Sequence, residues 1–125
     1  MDVLVVEDNE EVADSLAFLL DCYGHRVTVV EDGERALSLL RRRSFHLVLL
    51  DENLPGIKGS EVARSIVNTP SAVRPFLVSM TGDSEDSGIA RLFDLCLRKP
   101  FTLDALLQAL EDARICGKAS ALLAA

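Results

Sequence analysis

The stretch that decides the fold is residues 47–56, Leu-Val-Leu-Leu-Asp-Glu-Asn-Leu-Pro-Gly, in which an apolar run ends on a carboxylate. Together with Phe45 and His46, this run predicts a strand that stops at Asp51, since short continuous apolar segments are typical of buried strands. Pro55 and Gly56 predict a loop, because both residues interrupt regular structure. The segment therefore predicts a strand with an acidic residue at its carboxyl end.

Four further short, mostly apolar runs occur along the chain, and amphipathic segments separate them. The predicted strands cover residues 3–6, 26–30, 45–50, 75–80 and 96–98. Apolar residues recur at helical spacing in five segments, which follow Asn9, begin at Gly33, follow Gly59, cover 89–93 and follow Thr102. Five strands alternating with five helices predict a doubly wound α/β fold, with a five-stranded parallel sheet flanked by five helices.

The composition is that of an ordinary globular domain of 125 residues, 49% hydrophobic and 26% charged. The net charge of −7 argues against non-specific nucleic-acid binding, which needs a positive surface. Three cysteines without a CxxC pair favour a reduced, cytoplasmic setting. No apolar run approaches the roughly 20 residues that span a bilayer. A strand directly after Met1 leads us to expect no signal peptide.

Polar residues follow four of the five predicted strands. They are Glu7 and Asp8, Asp51, Thr81 and Lys99. Doubly wound sheets bind ligands beyond the carboxyl ends of their strands, near the point where strand order reverses. The sequence therefore predicts a functional site built from these residues.

The chemistry of these side chains favours phosphoryl transfer. Carboxylates from Glu7, Asp8 and Asp51 would repel one another at one edge of the sheet, so a cation is expected among them. Hard oxygen ligands suit Mg²⁺, while Lys99 and Thr81 add an ammonium and a hydroxyl. Taken singly, each residue also fits helix capping or a turn. Their coincidence at four strand ends favours transfer of a phosphoryl group onto a carboxylate.

Four segments of the chain resemble the receiver domain of two-component response regulators, a flavodoxin-like fold. The resemblance covers roughly residues 2–115 and depends on motifs at 3–9, 47–59, 79–82 and 99–101. It implies that Asp51 is phosphorylated and that Thr81 and Lys99 contact the phosphoryl oxygens. It also implies a cis peptide bond between Lys99 and Pro100, and room for the phosphoryl group beside Gly82.

The resemblance implies a metal site as well. It assigns Mg²⁺ to Asp8, Asp51 and the backbone carbonyl of Asn53, with Glu7 acting mainly through water, and it is compatible with Mn²⁺. A sensor histidine kinase or a histidine phosphotransfer protein would supply the phosphoryl group, and a downstream protein target would recognise the phosphorylated state. A weak homodimer is also compatible, whereas direct contact with nucleic acid or membrane is not expected. The chain would be a phosphoacceptor rather than an enzyme with other substrates.

Three features depart from the family pattern. Cys96 stands where receivers usually carry a Tyr or Phe that responds to phosphorylation, so we expect an altered readout. The interval from Thr81 to Lys99 is roughly four residues shorter than usual, about one helical turn, which predicts a shortened fourth helix. Lys58 occupies a position where many receivers have Asp or Asn.

Residues that flank the phosphoryl site tune its lifetime in the family. Here these residues are Asn53 and Asp83, whose polar side chains could orient an attacking water and shorten that lifetime. We place the receiver domain at 1–116. We interpret 117–125 as an extension of the last helix, a tail or a linker remnant.

Two other interpretations stay open. The chain could be the receiver part of a hybrid kinase or of a DNA-binding regulator. It could also be a Mg²⁺-dependent phosphohydrolase with an aspartyl-phosphate intermediate. Such hydrolases usually carry a second Asp two residues after the nucleophile, where this chain has Asn53.

Overall fold

Strands and helices alternate along the chain, as predicted. The structure is a computed structural model that describes residues 1–69, 74–82 and 87–124, except for the side chains of 87 and 118–124. The strands are β1 Asp2–Val6, β2 Arg26–Val30, β3 Leu47–Asp51, β4 Phe76–Thr81 and β5 Leu95–Arg98. The helices are α1 Glu10–Cys22, α2 Gly33–Arg42, α3 Gly59–Asn68, α4 Ser87–Ala90 and α5 Leu103–Ala124.

The five strands form one parallel sheet in the order β2-β1-β3-β4-β5. Strand order reverses between β1 and β3, so these two central strands present their carboxyl ends side by side. The predicted doubly wound, flavodoxin-like fold is therefore confirmed. It also places the chain segments after β1 and β3 where such sheets bind ligands.

Both faces of the sheet are covered, which explains the continuous apolar runs of the central strands. Alternate residues of β1 point to opposite faces: Val3 and Val5 pack with α1 and α5, and Leu4 and Val6 pack with α2 and α3. β3 is buried along its whole length, including Asp51. A charged residue at the end of such a strand has little water around it.

Side-chain caps start two helices where the sequence predicted them. The Asn9 Oδ1 accepts the N–H of Val12 at 3.2 Å, and the Thr102 Oγ1 accepts the N–H of Ala105 at 3.1 Å. Gly24 follows α1 with φ +85°, a conformation that glycine adopts without strain. Local sequence thus determines where α1 and α5 begin and where α1 ends.

Several predicted boundaries differ from the structure. The third strand begins at Leu47, because Phe45, although buried, lies in the connection before it. α4 covers Ser87–Ala90 rather than 89–93, and the Asp94 carboxylate instead accepts the N–H of Leu77. α5 continues to Ala124, which favours a helical extension for the segment after residue 116. In the described part of the chain, no helix combines the length and apolarity needed to cross a membrane.

Candidate functional site

Three acidic side chains converge at the carboxyl ends of β1 and β3. Glu7, Asp8 and Asp51 each place a carboxylate oxygen within 4.8 Å of the other two. Glu7 and Asp51 are only 1% and 5% exposed, whereas Asp8 is exposed to solvent. The two buried carboxylates come directly from the strand order, because parallel neighbours end at the same edge. Asp8 supplies the solvent-facing side of the cluster.

Lys99 brings a positive charge to this cluster from the end of β5. Its Nζ lies 2.9 Å from the Glu7 Oε1 and 3.3 Å from the Asp51 Oδ2. The backbone N–H of Lys99 donates to the Thr81 carbonyl at 2.6 Å, which ties it to the end of β4. The Lys99–Pro100 peptide bond is cis, as the resemblance implied. One ammonium thus bridges two of the three carboxylates.

The remaining predicted site residues lie around this centre. Thr81 is the last residue of β4 and is 6% exposed. Among the described residues, a Cβ added at Gly82 would meet no atom within 4 Å, in keeping with the space predicted beside Thr81. The Asn53 N–H donates to the Asp51 Oδ1 at 3.1 Å, so the loop after β3 folds back onto the carboxylate. Asp83 lies outside the described residues.

Cys96 lies in the middle of β5, which β4 separates from β3 and its Asp51 carboxylate. Its side chain is exposed, while the following Leu97 is buried in the core. The predicted role of Cys96 in an altered readout is untested by this geometry. In the part of the chain that the structure describes, α4 has four residues, in agreement with the predicted shortening of the fourth helix.

The electrostatics of the cluster centre on Glu7. Burial, together with the neighbouring Asp51 carboxyl, raises the pKa of Glu7 from 4.5 to about 7, although Lys99 opposes this shift. Burial alone would lower the pKa of Lys99, but the hydrogen bond with Glu7 and the charges of Asp51 and Glu7 raise it above 10.5. Lys99 therefore stays protonated, and Glu7 holds a proton more readily than an exposed glutamate does.

These carboxylates fit a divalent cation. The Glu7 Oε2 is buried and has no hydrogen-bond partner among the residues that the structure describes. A buried polar atom without a partner is costly, and a cation or its bound water would satisfy it. Mg²⁺ prefers hard oxygen ligands and keeps several bound water molecules, so it suits a cluster of carboxylates with one side open to solvent. The donor set therefore suits Mg²⁺.

Sequence reasoning missed one pair of residues that supports the site. The Glu52 carboxylate accepts hydrogen bonds from the Ser60 N–H at 2.7 Å and from the Ser60 Oγ at 2.9 Å. Ser60 is in the first turn of α3 and is 5% exposed. The signal in the sequence was Lys58, which precedes the predicted helix and is a poor N-cap residue. The helix therefore needed a hydrogen-bond acceptor from another residue.

Comparison with known proteins identifies the family. The model of the response regulator receiver domain matches residues 3–111 of the chain. The chain belongs to this family. It is thus a receiver domain of the two-component signal transduction systems, as the sequence resemblance predicted.

Curated relatives include receivers within longer proteins. The chain is 38% identical over 120 residues to the virulence sensor protein BvgS of Bordetella pertussis, a match that covers 89% of this chain and 10% of BvgS. It is 38% identical over 108 residues to the sensory transduction protein RegX3 of Mycolicibacterium smegmatis, covering 84% of this chain and 46% of RegX3. The chain therefore spans less than half the length of these relatives.

Solved receiver structures share the fold. One is the CheY-like response regulator receiver domain from Methylobacillus flagellatus, with a TM-score of 0.84 and 26% identity, covering 90% of this chain and 98% of that one. Another is the receiver domain of the sensor histidine kinase PA1611 of Pseudomonas aeruginosa, with a TM-score of 0.81 and 26% identity, covering 89% and 94% of the two chains. The latter structure has a magnesium ion coordinated in its active-site cleft. These comparisons do not support Mn²⁺.

Proposed function

We propose that this receiver accepts a phosphoryl group on Asp51 from a histidine kinase or a histidine phosphotransfer protein, and that phosphorylation switches a protein-binding surface. The observation that carries the proposal is the position of the Asp51 carboxylate, which lies beside Glu7 and Asp8 and 3.3 Å from the Lys99 Nζ. A nucleophile, a cation-binding acidic cluster and a fixed ammonium meet at one point. The kinase-containing relatives support a kinase as donor.

In the proposed reaction a carboxylate oxygen of Asp51 attacks the phosphorus of a phosphohistidine. The new O–P bond gives an acyl phosphate, while the P–N bond breaks and the donor imidazole leaves with its electron pair. The transition state spreads negative charge over the phosphoryl oxygens. The Lys99 ammonium and the Thr81 hydroxyl are the groups of this chain that would stabilise that charge.

Asp8, Asp51 and the Asn53 backbone carbonyl would hold Mg²⁺ in this proposal, with Glu7 acting through water. When bound, the ion neutralises charge between the carboxylates and the incoming phosphoryl oxygens. Lys99 remains protonated, as the direction of its pKa shift indicates, and its ammonium lies 3.3 Å from the Asp51 Oδ2. The receiver's own residues therefore orient the nucleophile before any donor arrives.

Phosphorylation is energetically able to switch the domain. A hydrogen bond to a charged group contributes about 1.5–3 kcal/mol, so contacts from Thr81 and Lys99 could supply roughly 3–6 kcal/mol. Moving a two-state equilibrium from 1:99 to 99:1 requires about 5.5 kcal/mol. The two quantities are similar, so a bound partner could still bias the outcome.

The readout is proposed to differ from that of aromatic-switch receivers. A cysteine at position 96 cannot supply the 150–250 Å² that an aromatic ring buries. Within the residues that the structure describes, α4 covers Ser87–Ala90, which offers little helix to move on that face. Amide chemical shifts recorded before and after phosphorylation test this point. Large amide shifts throughout residues 84–98, together with an ordinary symmetric dimer, would contradict the proposal.

Mass spectrometry after incubation with Mg²⁺ and acetyl phosphate tests the acceptor directly. The wild type is expected to gain one phosphoryl group, and Asp51→Asn is expected to gain none because an amide is a poor nucleophile. Asp104→Asn, an exposed aspartate in the first turn of α5, serves as the matched control and should be labelled like the wild type. Full labelling of Asp51→Asn would show that the acceptor lies elsewhere. Turnover of a phosphomonoester, which we do not expect, would instead favour a phosphohydrolase.

A further inference from the structure

α3 begins without a cap of its own. Its N-cap residue is Lys58, which makes no side-chain hydrogen bond to the helix. Helix N-termini favour Ser, Thr, Asp or Asn at this position, because their side chains accept an otherwise unpaired backbone N–H. A lysine also places positive charge at the positive end of the helix dipole. The start of α3 therefore needs a hydrogen-bond acceptor from another part of the chain.

Glu52 supplies that acceptor. Its carboxylate accepts the N–H and the hydroxyl of Ser60 at 2.7 and 2.9 Å, and its backbone carbonyl accepts the N–H of Gly59 at 3.3 Å. The negative charge also complements the helix dipole. Glu52 thus satisfies the first two helical N–H groups of α3 and replaces the cap that Lys58 cannot form.

The same residue fixes the chain next to the proposed phosphoacceptor. Glu52 directly follows Asp51, its N–H donates to the Met80 carbonyl at 3.4 Å, and its carbonyl accepts the N–H of Leu54 at 3.1 Å. A Cβ added at Gly59 would come within 2.3 Å of the Asp51 carbonyl oxygen, so α3 already packs directly on the acceptor backbone. The loop that carries Asn53 is therefore held between β4 and the start of α3.

We infer that Glu52 is a positioning residue for phosphoryl transfer: by capping α3 through Ser60, it holds the loop that presents Asp51 and the Asn53 carbonyl. This inference rests on the proposed function. It assigns to Glu52 no contact with metal or phosphoryl group, since its carboxylate points to Ser60. A loop released from α3 would move the Asn53 carbonyl relative to Asp51 and weaken Mg²⁺ binding before any phosphodonor is present.

Glu52→Ala tests the inference, with Glu61→Ala as the matched control. Glu61 is an exposed acidic residue in the same first turn of α3, so both substitutions remove one negative charge from the same helix end. Without Glu52, hydrogen exchange of the Ser60 amide should accelerate about fivefold in the metal-free protein. Labelling by acetyl phosphate should slow about tenfold, and calorimetric titration should show weaker Mg²⁺ binding. Glu61→Ala should match the wild type in all three measurements.

Two further variants keep the test decisive. Glu52→Gln should restore most of the labelling rate, because its amide oxygen still accepts the Ser60 N–H. Ser60→Ala keeps that backbone hydrogen bond and loses the hydroxyl, so its labelling rate should lie between those of wild type and Glu52→Ala. This variant still tests the inference if Glu52→Ala folds poorly. Unchanged Mg²⁺ affinity and labelling in a folded Glu52→Ala, with only a lower melting temperature, would overturn the inference. A wild type that accepts no label would instead overturn the proposed function.

Discussion

Replacing Glu7 with glutamine should change how the stability of the metal-free protein depends on pH. Burial and the Asp51 carboxyl raise the pKa of Glu7 from 4.5 to about 7. Between these two values the folded protein therefore binds a proton that the unfolded chain has released. Stability falls with rising pH wherever the folded state binds more protons, so this group destabilises the protein as pH rises from about 4.5 to 7.

The magnitude follows from the size of the shift. Each pKa unit corresponds to about 1.4 kcal/mol, so ionised Glu7 costs about 3 kcal/mol relative to its protonated form. Glutamine resembles the protonated form: its oxygen can accept from Lys99 and its N–H group can donate to Asp51. Glu7→Gln should therefore gain about 3 kcal/mol relative to wild type between pH 4.5 and pH 8.

Urea unfolding followed by circular dichroism, in EDTA and at a series of pH values, measures this difference. The wild-type and Glu7→Gln free energies of unfolding should be closest near pH 4.5 and should separate up to about pH 7. Adding Mg²⁺ at pH 8 should then reduce the difference between the two free energies of unfolding, because a ligand that binds only the folded state stabilises that state by mass action. A constant difference between the two proteins across this range would refute the reasoning about Glu7.

Two other substitutions have defined consequences. Lys99→Met should destabilise the metal-free protein at pH 8 by about 2–3 kcal/mol in urea unfolding, because Glu7 and Asp51 lose their shared counter-charge. The Lys99 side chain is 29% exposed, so the loss of free energy should be smaller than for a fully buried ion pair. An unchanged free energy of unfolding would show that water replaces the ammonium. Gly59→Ala should cost about 1–3 kcal/mol, because its Cβ would come within 2.3 Å of the rigid Asp51 carbonyl oxygen. Gly82→Ala, whose Cβ would meet no described atom within 4 Å, should stay within about 0.5 kcal/mol of the wild-type free energy of unfolding.

The fold was predictable because parallel strands covered on both faces leave a strong pattern. Four consecutive buried apolar residues in β1, and four in β3, appear in the sequence as uninterrupted apolar runs. β5 was harder to delimit, since it lies at the sheet edge and its residues alternate between exposed and buried. The short fourth helix was predicted, but its bounds were placed two to three residues too late, because the four described residues of α4 are too few to show a helical period.

The candidate site was predictable for a topological reason. Residues that follow the strands of one parallel sheet lie at the same edge of that sheet, so Glu7, Asp8, Asp51 and Lys99 could be grouped from the sequence alone. The Glu52–Ser60 contact could not be predicted in the same way, since it joins a loop to a helix across eight positions that have no regular spacing. Only the unsuitable cap at Lys58 indicated that some partner was required.

The arrangement of charged side chains at the metal-free site lowers the stability of the fold. Lys99 is shared between two carboxylates, and the Glu7 Oε2 has no hydrogen-bond partner among the described residues. A domain selected for stability alone would replace Glu7 with a residue that loses nothing on burial, because unsatisfied buried polar groups cost about 1–3 kcal/mol. The proposed function gives a reason to retain this cost beside Asp51, because the Glu7 charge would be used when a cation and a phosphoryl group are bound. Glu52 shows the complementary arrangement, since both of its carboxylate oxygens accept hydrogen bonds from Ser60.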